Sequence, residues 1–174
     1  MLDWMFWKRS RPEAFETSVL MVCMGNICRS PTAEAVLRSK LQRAGLAERV
    51  RVGSVGTHAS KGTPADPRAV AAAAKRGHDL RRMRTRRLAP ADFEHFDLVL
   101  AMDLDNLANL KAACPEPWHD RLALLLDLAP NPEGVREVPD PYYGAPDGFE
   151  RVLDLIEPAC DTLVLRLRER LSTG

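Results

Sequence analysis

Long apolar runs are missing from this 174-residue chain, and no stretch approaches the roughly 20 residues that a membrane-crossing helix needs. Cysteine is scarce: Cys23, Cys28, Cys114 and Cys160 are the complete set. They form no Cys-x-x-Cys pair and match no zinc-site spacing with histidine. They are also too few for a disulfide scaffold in a chain of this length, so reduced thiols in the cytoplasm are the expectation. A dominant charge is absent as well. With 25 Lys and Arg against 24 Asp and Glu, the net charge of +1 gives no bulk field toward nucleic acid or an anionic membrane. Internal repeats and low-complexity tracts are lacking. What remains is an ordinary globular composition, long enough for one domain with its own core. Nothing in it calls for a cofactor or a metal.

The first nine residues, Met1-Leu2-Asp3-Trp4-Met5-Phe6-Trp7-Lys8-Arg9, combine aromatics with a trailing basic pair. They do not read as a signal peptide, because the charges follow the apolar stretch and no small-residue cleavage site appears. Residues 1–17 are expected to form a flexible N-terminal extension. The sharper alternative is that residues 1–9 touch a membrane surface or a partner through their aromatics.

From residue 18 onward, strand and helix patterns alternate. Ser18–Cys23 is short, apolar and partly β-branched, as a buried strand should be. A loop follows, and Ser30-Pro31 is expected to open a helix, with serine as N-cap and proline at the first helical position. That helix runs to about Gly45. Residues 49–54 predict a second strand, 66–77 a helix, 96–102 a third strand and 121–126 a fourth. Asp103 is placed to cap the helix that carries Leu104, Leu107 and Leu110. A loop rich in Pro, Gly and Asp covers 129–148. The last helix starts near Asp147, and Pro158 is expected to kink or interrupt it. The fold class that follows is α/β. It is a single three-layer domain over 18–174, with a central four-stranded parallel sheet flanked by helices. Ligands of such sheets bind beyond the carboxyl ends of the strands.

The segment from Cys23 to Ser30 lies at such an end. It reads Cys23-Met24-Gly25-Asn26-Ile27-Cys28-Arg29-Ser30 and links a strand to a helix N-terminus. Successive backbone N–H groups in such a turn can point inward as an anion nest, and the helix adds unpaired donors and a positive dipole end. Gly25 and Asn26 tolerate unusual backbone angles. Arg29 can grip two phosphate oxygens with its planar fork. The same surroundings suit a thiolate, the form of cysteine that attacks phosphorus, and Ser30 can donate to the sulfur. A bare Cys-x5-Arg is weak evidence, and Cys160 with Arg166 repeats the spacing. The five residues between those two are helical and glycine-free, however, and cannot curl around an anion. Cys28 either packs or forms a reversible disulfide with Cys23 on oxidation.

The stretch from Val22 through Cys23, Arg29-Ser30-Pro31 and Glu34 closely resembles the signature of low-molecular-weight protein tyrosine phosphatases of the bacterial type. The resemblance continues through Ser54-Val55-Gly56-Thr57, Asp66-Pro67-Arg68, Asp92-Phe93, Phe96-Asp97 and Met102-Asp103 to Asp140-Pro141-Tyr142-Tyr143-Gly144. It implies Cys23 as the nucleophile forming a phosphocysteine, Arg29 as the phosphoryl-binding group and Asp140 as general acid and then base. It further implies phosphate or substrate contacts from Met24, Gly25, Asn26, Ile27, Cys28 and Ser30, with Tyr142 and Tyr143 lining the cleft. Without the resemblance, Asp140-Pro141 is only a loop turn. The implied substrate is a phosphotyrosine-containing protein. For a bacterial relative it is often a tyrosine kinase of polysaccharide export.

Two departures from the pattern stand out. Residues 58–62 lack the aromatic wall residue that family members often carry. Met83 stands where many relatives have a histidine that supports the loop asparagine. Arg81, Arg82, Arg84, Arg86 and Arg87 make a basic run that reads as a solvated face, part of which can attract acidic phosphopeptides. Three rival functions share the loop. Arsenate reduction needs a relay of further cysteines that this chain does not offer. Phosphoarginine phosphatases typically have threonine at the position of Ile27. A silent phosphopeptide-binding module would not need Cys23, Arg29 and Asp140 together.

Overall fold

The computed structural model describes residues 14–129 and 131–173. Residues 1–9, for which a docking role is the sharper sequence reading, lie outside the described residues. Four parallel strands form one sheet in the order β2-β1-β3-β4: β1 Thr17–Cys23, β2 Val50–Gly56, β3 Leu98–Ala101 and β4 Leu122–Leu124. Five α-helices accompany them: α1 Arg29–Arg43, α2 Pro67–Lys75, α3 Pro90–His95, α4 Leu104–Ala113 and α5 Gly148–Ser172. This is the α/β architecture expected from the sequence.

β1 is buried along its whole length because it lies inside the sheet, with helices over both faces. Its side chains alternate between two cores, as the two-residue period of a strand requires. Val19, Met21 and Cys23 join a large core with Val36, Leu37, Leu41, Ile156, Leu163 and Leu167 from α1 and α5. Leu20 and Val22 join a smaller one with Phe93, Phe96, Leu110 and Leu124. The start of the sheet is pinned by Asp97, whose Oδ2 accepts from the Ser18 amide (2.9 Å) and the Ser18 hydroxyl (3.0 Å).

Three local expectations are corrected. Helix α1 begins at Arg29 with Cys28 in the cap position, so Ser30 is an interior residue and caps nothing. The third-strand prediction over 96–102 shortens to four residues, since Phe96 and Asp97 form the exit from α3. Helix α5 is continuous through Pro158. Proline there removes one amide donor on an exposed side of the helix, while Leu155, Ile156, Ala159 and Cys160 stay buried and hold the helix in place.

Among the described residues, no helix is long and apolar enough to cross a membrane. Two arginines of the basic run form ion pairs: Arg81 with Asp79 and Arg86 with Asp92, each at 2.8 Å.

Candidate active site

Cys23 is the last residue of β1, and the chain turns there beyond the carboxyl end of the strand into α1. The turn is anchored from behind by the segment after β2. Thr57 N–H donates to the Cys23 carbonyl and His58 N–H to the Met24 carbonyl, each at 2.9 Å. Asp66 N–H donates to the Ile27 carbonyl at 2.8 Å. Gly56 lets these two segments approach. A Cβ at that position would lie 2.5 Å from the Met24 carbonyl oxygen and 2.9 Å from the Asn26 nitrogen.

Asn26 is the one described non-glycine residue with positive φ, at 57°, a conformation that asparagine tolerates better than most residues. Its backbone N–H points at the Cys23 sulfur, 3.3 Å away. Its side chain is buried, with both amide hydrogens and the oxygen bonded. Nδ2 donates to Ser30 Oγ (2.9 Å) and Ser54 Oγ (3.1 Å), and Oδ1 accepts from the Arg86 amide (2.9 Å). Support for Asn26 therefore needs no histidine at position 83, because a backbone N–H from the basic run supplies it. Met83 packs instead against the large core. Ser54 in turn donates to Glu34 Oε2 at 2.6 Å.

Ser30 Oγ lies 3.0 Å from Cys23 Sγ and 3.2 Å from the Val55 carbonyl. The hydroxyl has one proton to share between these two. Because Asn26 already donates to the oxygen, the Ser30 proton is free to turn toward the sulfur when the sulfur is an anion.

Arg29 is 3 % exposed. Its Nη1 donates to Asp103 Oδ2 (2.5 Å) and to the Val138 carbonyl (3.1 Å), and its Nη2 lies 3.5 Å from Asp140 Oδ2. Burial works against the guanidinium charge, but the Asp103 hydrogen bond and the nearby Cys23, Asp103 and Asp140 outweigh it and push its pKa above the usual arginine value. Asp103 thus does two things. Oδ1 caps α4 by accepting from the Asn106 amide at 2.7 Å, and Oδ2 aims Arg29. Sequence reasoning finds only the cap. The Met102-Asp103 match carried the second role without revealing it, since the Arg29 contact spans 74 positions of chain.

Above the sulfur opens a cavity of about 210 Å³, lined by Cys23, Met24, Gly25, Ile27, Cys28, Arg29, Asp140, Tyr142 and Tyr143. Of the sequence-predicted site residues, only Asn26 and Ser30 fall outside this lining, and both act from behind it. Residues 58–62 contribute nothing to the wall, as the missing aromatic suggested. Tyr143 is almost wholly exposed at the rim, with its ring edge-on to that of Tyr142 at 4.7 Å between centroids. Cys28 is a buried free thiol. Burial above all, and then the charges of Asp66, Cys23 and Asp140, push its pKa up to about 12.

A sulfur on the floor, an amide and a hydroxyl within hydrogen-bond distance of it, a buried guanidinium and a carboxylate at the mouth are arranged about one cavity that can receive an anion. No group of metal-ligating side chains occurs among the described residues. The family model described as low molecular weight phosphotyrosine protein phosphatase matches residues 18–173. The chain is 42% identical over 155 residues to a putative low molecular weight protein-tyrosine-phosphatase of Synechocystis, covering 88% of this chain and 98% of that one. A crystal structure of a protein tyrosine phosphatase from Entamoeba histolytica with Hepes in its active site superposes with a TM-score of 0.82 at 38% identity, covering 88% and 97% of the two chains. The YwlE arginine phosphatase, with a phosphorylated serine in place of its active-site cysteine, superposes at 0.78 with 30% identity over 87% and 96%.

Proposed function

The chain belongs to the low molecular weight phosphotyrosine protein phosphatase family, and from that premise we propose that it hydrolyses phosphotyrosine in proteins through a phosphocysteine on Cys23. The Cys23 thiolate attacks phosphorus in line with the phenolic oxygen. The P–O bond to that oxygen breaks as Asp140 gives it a proton. Arg29 and the loop amides stabilise the negative charge on the equatorial oxygens. In the second half, Asp140 takes a proton from water as the water attacks phosphorus. The S–P bond breaks, and the Ser30 hydroxyl steadies the departing thiolate.

The observation that carries this reading is that Asp140, 111 positions beyond Arg29, lines one open cavity with Cys23 and Arg29. Its test is a Cys23→Ser variant, expected to lose at least about a thousandfold in turnover of p-nitrophenyl phosphate. Rapid quenching of the parent during turnover should yield a phosphorylated thiol at position 23. A Cys23→Ser protein as active as the parent would refute the mechanism.

Ile27, Tyr142 and Tyr143 give the cavity an apolar wall suited to an aryl ring rather than to a guanidinium. Phosphotyrosine peptides should therefore be cleaved well ahead of phosphoarginine peptides, and the reverse order would assign the chain to the other chemistry. The physiological substrate is a phosphotyrosine protein in the cytoplasm. A bacterial tyrosine kinase of polysaccharide export is the finer proposal, and trapping with Cys23→Ser in the native cell tests it.

A further inference from the structure

The segment that carries Asp140 has little structure of its own. Val138 is held firmly, its N–H bonded to the Met102 carbonyl (2.8 Å) and its carbonyl to Arg29. From there to α5, the backbone bonds are short-range ones within the loop, Gly144 N–H to the Pro141 carbonyl (3.3 Å) and Gly148 N–H to the Ala145 carbonyl (2.9 Å). The Asp140 side chain is 50% exposed, and its contact with Arg29 is long at 3.5 Å. A proton donor must nevertheless be placed to within a fraction of an ångström to work well.

Against Tyr142, which lines the cavity, stands Asp66-Pro67-Arg68 at the start of α2. The Asp66 amide holds the Ile27 carbonyl of the phosphate loop. Its carboxylate accepts from the Arg68 amide (2.8 Å), Nε (3.0 Å) and Nη2 (2.8 Å), which fixes the guanidinium plane. The remaining nitrogen, Nη1, donates to the Tyr142 carbonyl at 3.2 Å. The guanidinium carbon lies 5.3 Å from the Tyr142 ring centroid and 4.7 Å from that of Phe149. Tyr142 closes the chain, its own N–H donating to Asp140 Oδ1 at 3.1 Å.

We infer that Arg68, aligned by Asp66, is a positioning residue for Asp140 and braces the acid loop against the phosphate loop. The bridge runs Ile27, Asp66, Arg68, Tyr142, Asp140, with a hydrogen bond at every joint. Arg68 and Arg29 both reach this loop from outside it by side-chain hydrogen bonds. A lysine cannot replace the fork, since it lacks both the planar stacking surface and a second fixed donor. The inference rests on the reading of Asp140 as proton donor and adds what holds the donor in place.

Leaving-group dependence separates this role from a merely structural one. For the parent, kcat/KM over a series of aryl phosphates should fall only gently as the leaving phenol becomes more basic, because Asp140 neutralises it. Asp140→Asn should steepen that slope. Arg68→Ala is expected to steepen it part of the way, with about a tenfold loss on a phosphotyrosine peptide and a smaller one on p-nitrophenyl phosphate. Arg68→Lys should recover little. Asp66→Asn, which frees the guanidinium without removing it, should move the slope in the same direction. A folding defect alone would lower all substrates by one factor and leave the slope unchanged. A steep Asp140→Asn slope beside parental slopes for Arg68→Ala and Asp66→Asn would overturn the brace alone. A parental slope for Asp140→Asn would overturn the reading of Asp140 and the brace with it.

Discussion

At the scale of single residues, the site is governed by what lies behind it. Gly56 does not line the cavity, yet its missing side chain is what lets the loop after Cys23 sit against the segment after β2. Gly56→Ala would press a methyl group into two backbone atoms of that loop. A loss of about 1–3 kcal/mol of stability is expected, as for overpacking elsewhere, together with weaker inhibition by vanadate. Urea denaturation and inhibition constants would check both, and a variant matching the parent in each would contradict the packing argument. Cys28 makes a separate case. With its pKa pushed up to about 12, it remains a neutral thiol near pH 7. In a Cys23→Ser background, iodoacetamide near pH 7 should therefore leave position 28 unlabelled by mass spectrometry, and rapid labelling there would show the thiol to be reactive after all. These residues differ in legibility. Cys23, Gly25, Asn26, Arg29 and Ser30 are readable because strand, loop and helix follow each other in sequence. The roles of Ser54, Arg86 and Asp103 are not, because each acts through a partner tens of positions away.

Secondary-structure elements behaved as their periodicity required wherever burial matched pattern. β1 reads as buried on both faces, and it is. The misreadings came where a tertiary contact overruled a local rule. Ser30-Pro31 is a good capping pair, but the helix starts at Arg29, whose side chain reaches Asp103 and the Val138 carbonyl, both remote in sequence. Ser30 is thereby released to face the sulfur. Pro158 illustrates the opposite balance: eleven buried positions along α5 outweigh one missing amide bond. Pro158→Ala should restore that bond at an exposed site and stabilise the protein by about 1–2 kcal/mol, since an interior proline costs about 3 kcal/mol relative to alanine and stiffens the unfolded chain in partial return. An unchanged or lower urea midpoint would show that the helix needs its proline.

For the whole molecule, the helices on the large-core side are tied by a polar cluster remote from catalysis. Glu157 of α5 accepts from His78 Nε2 (2.8 Å) and Arg76 Nη1 (2.9 Å), and His78 Nδ1 meets Ser39 of α1 at 2.6 Å. Burial pushes the Glu157 pKa up, but the His78 and Arg76 hydrogen bonds outweigh it, so the carboxyl titrates below its usual range. A depressed folded value contributes stability that is complete above the unfolded carboxylate pKa and is lost as the pH falls through the folded one. Glu157→Gln should therefore cost about 1–2 kcal/mol near pH 7, and the difference from the parent should shrink once the pH drops below about 4. Denaturation curves at several pH values test this, and a difference that does not vary with pH would assign the cost to packing.

The sequence by itself determined the alternation of strands and helices apart from α3, and the strand–loop–helix segment that carries Cys23, because those depend on periodicity and on neighbours in the chain. Tertiary structure alone decided where α1 begins, what steadies Asn26 and Arg29, and how the loop bearing Asp140 is held across from the sulfur. Those depend on hydrogen-bond partners brought together by the sheet, and no local pattern encodes a distance between residues 29 and 103 or between 68 and 142.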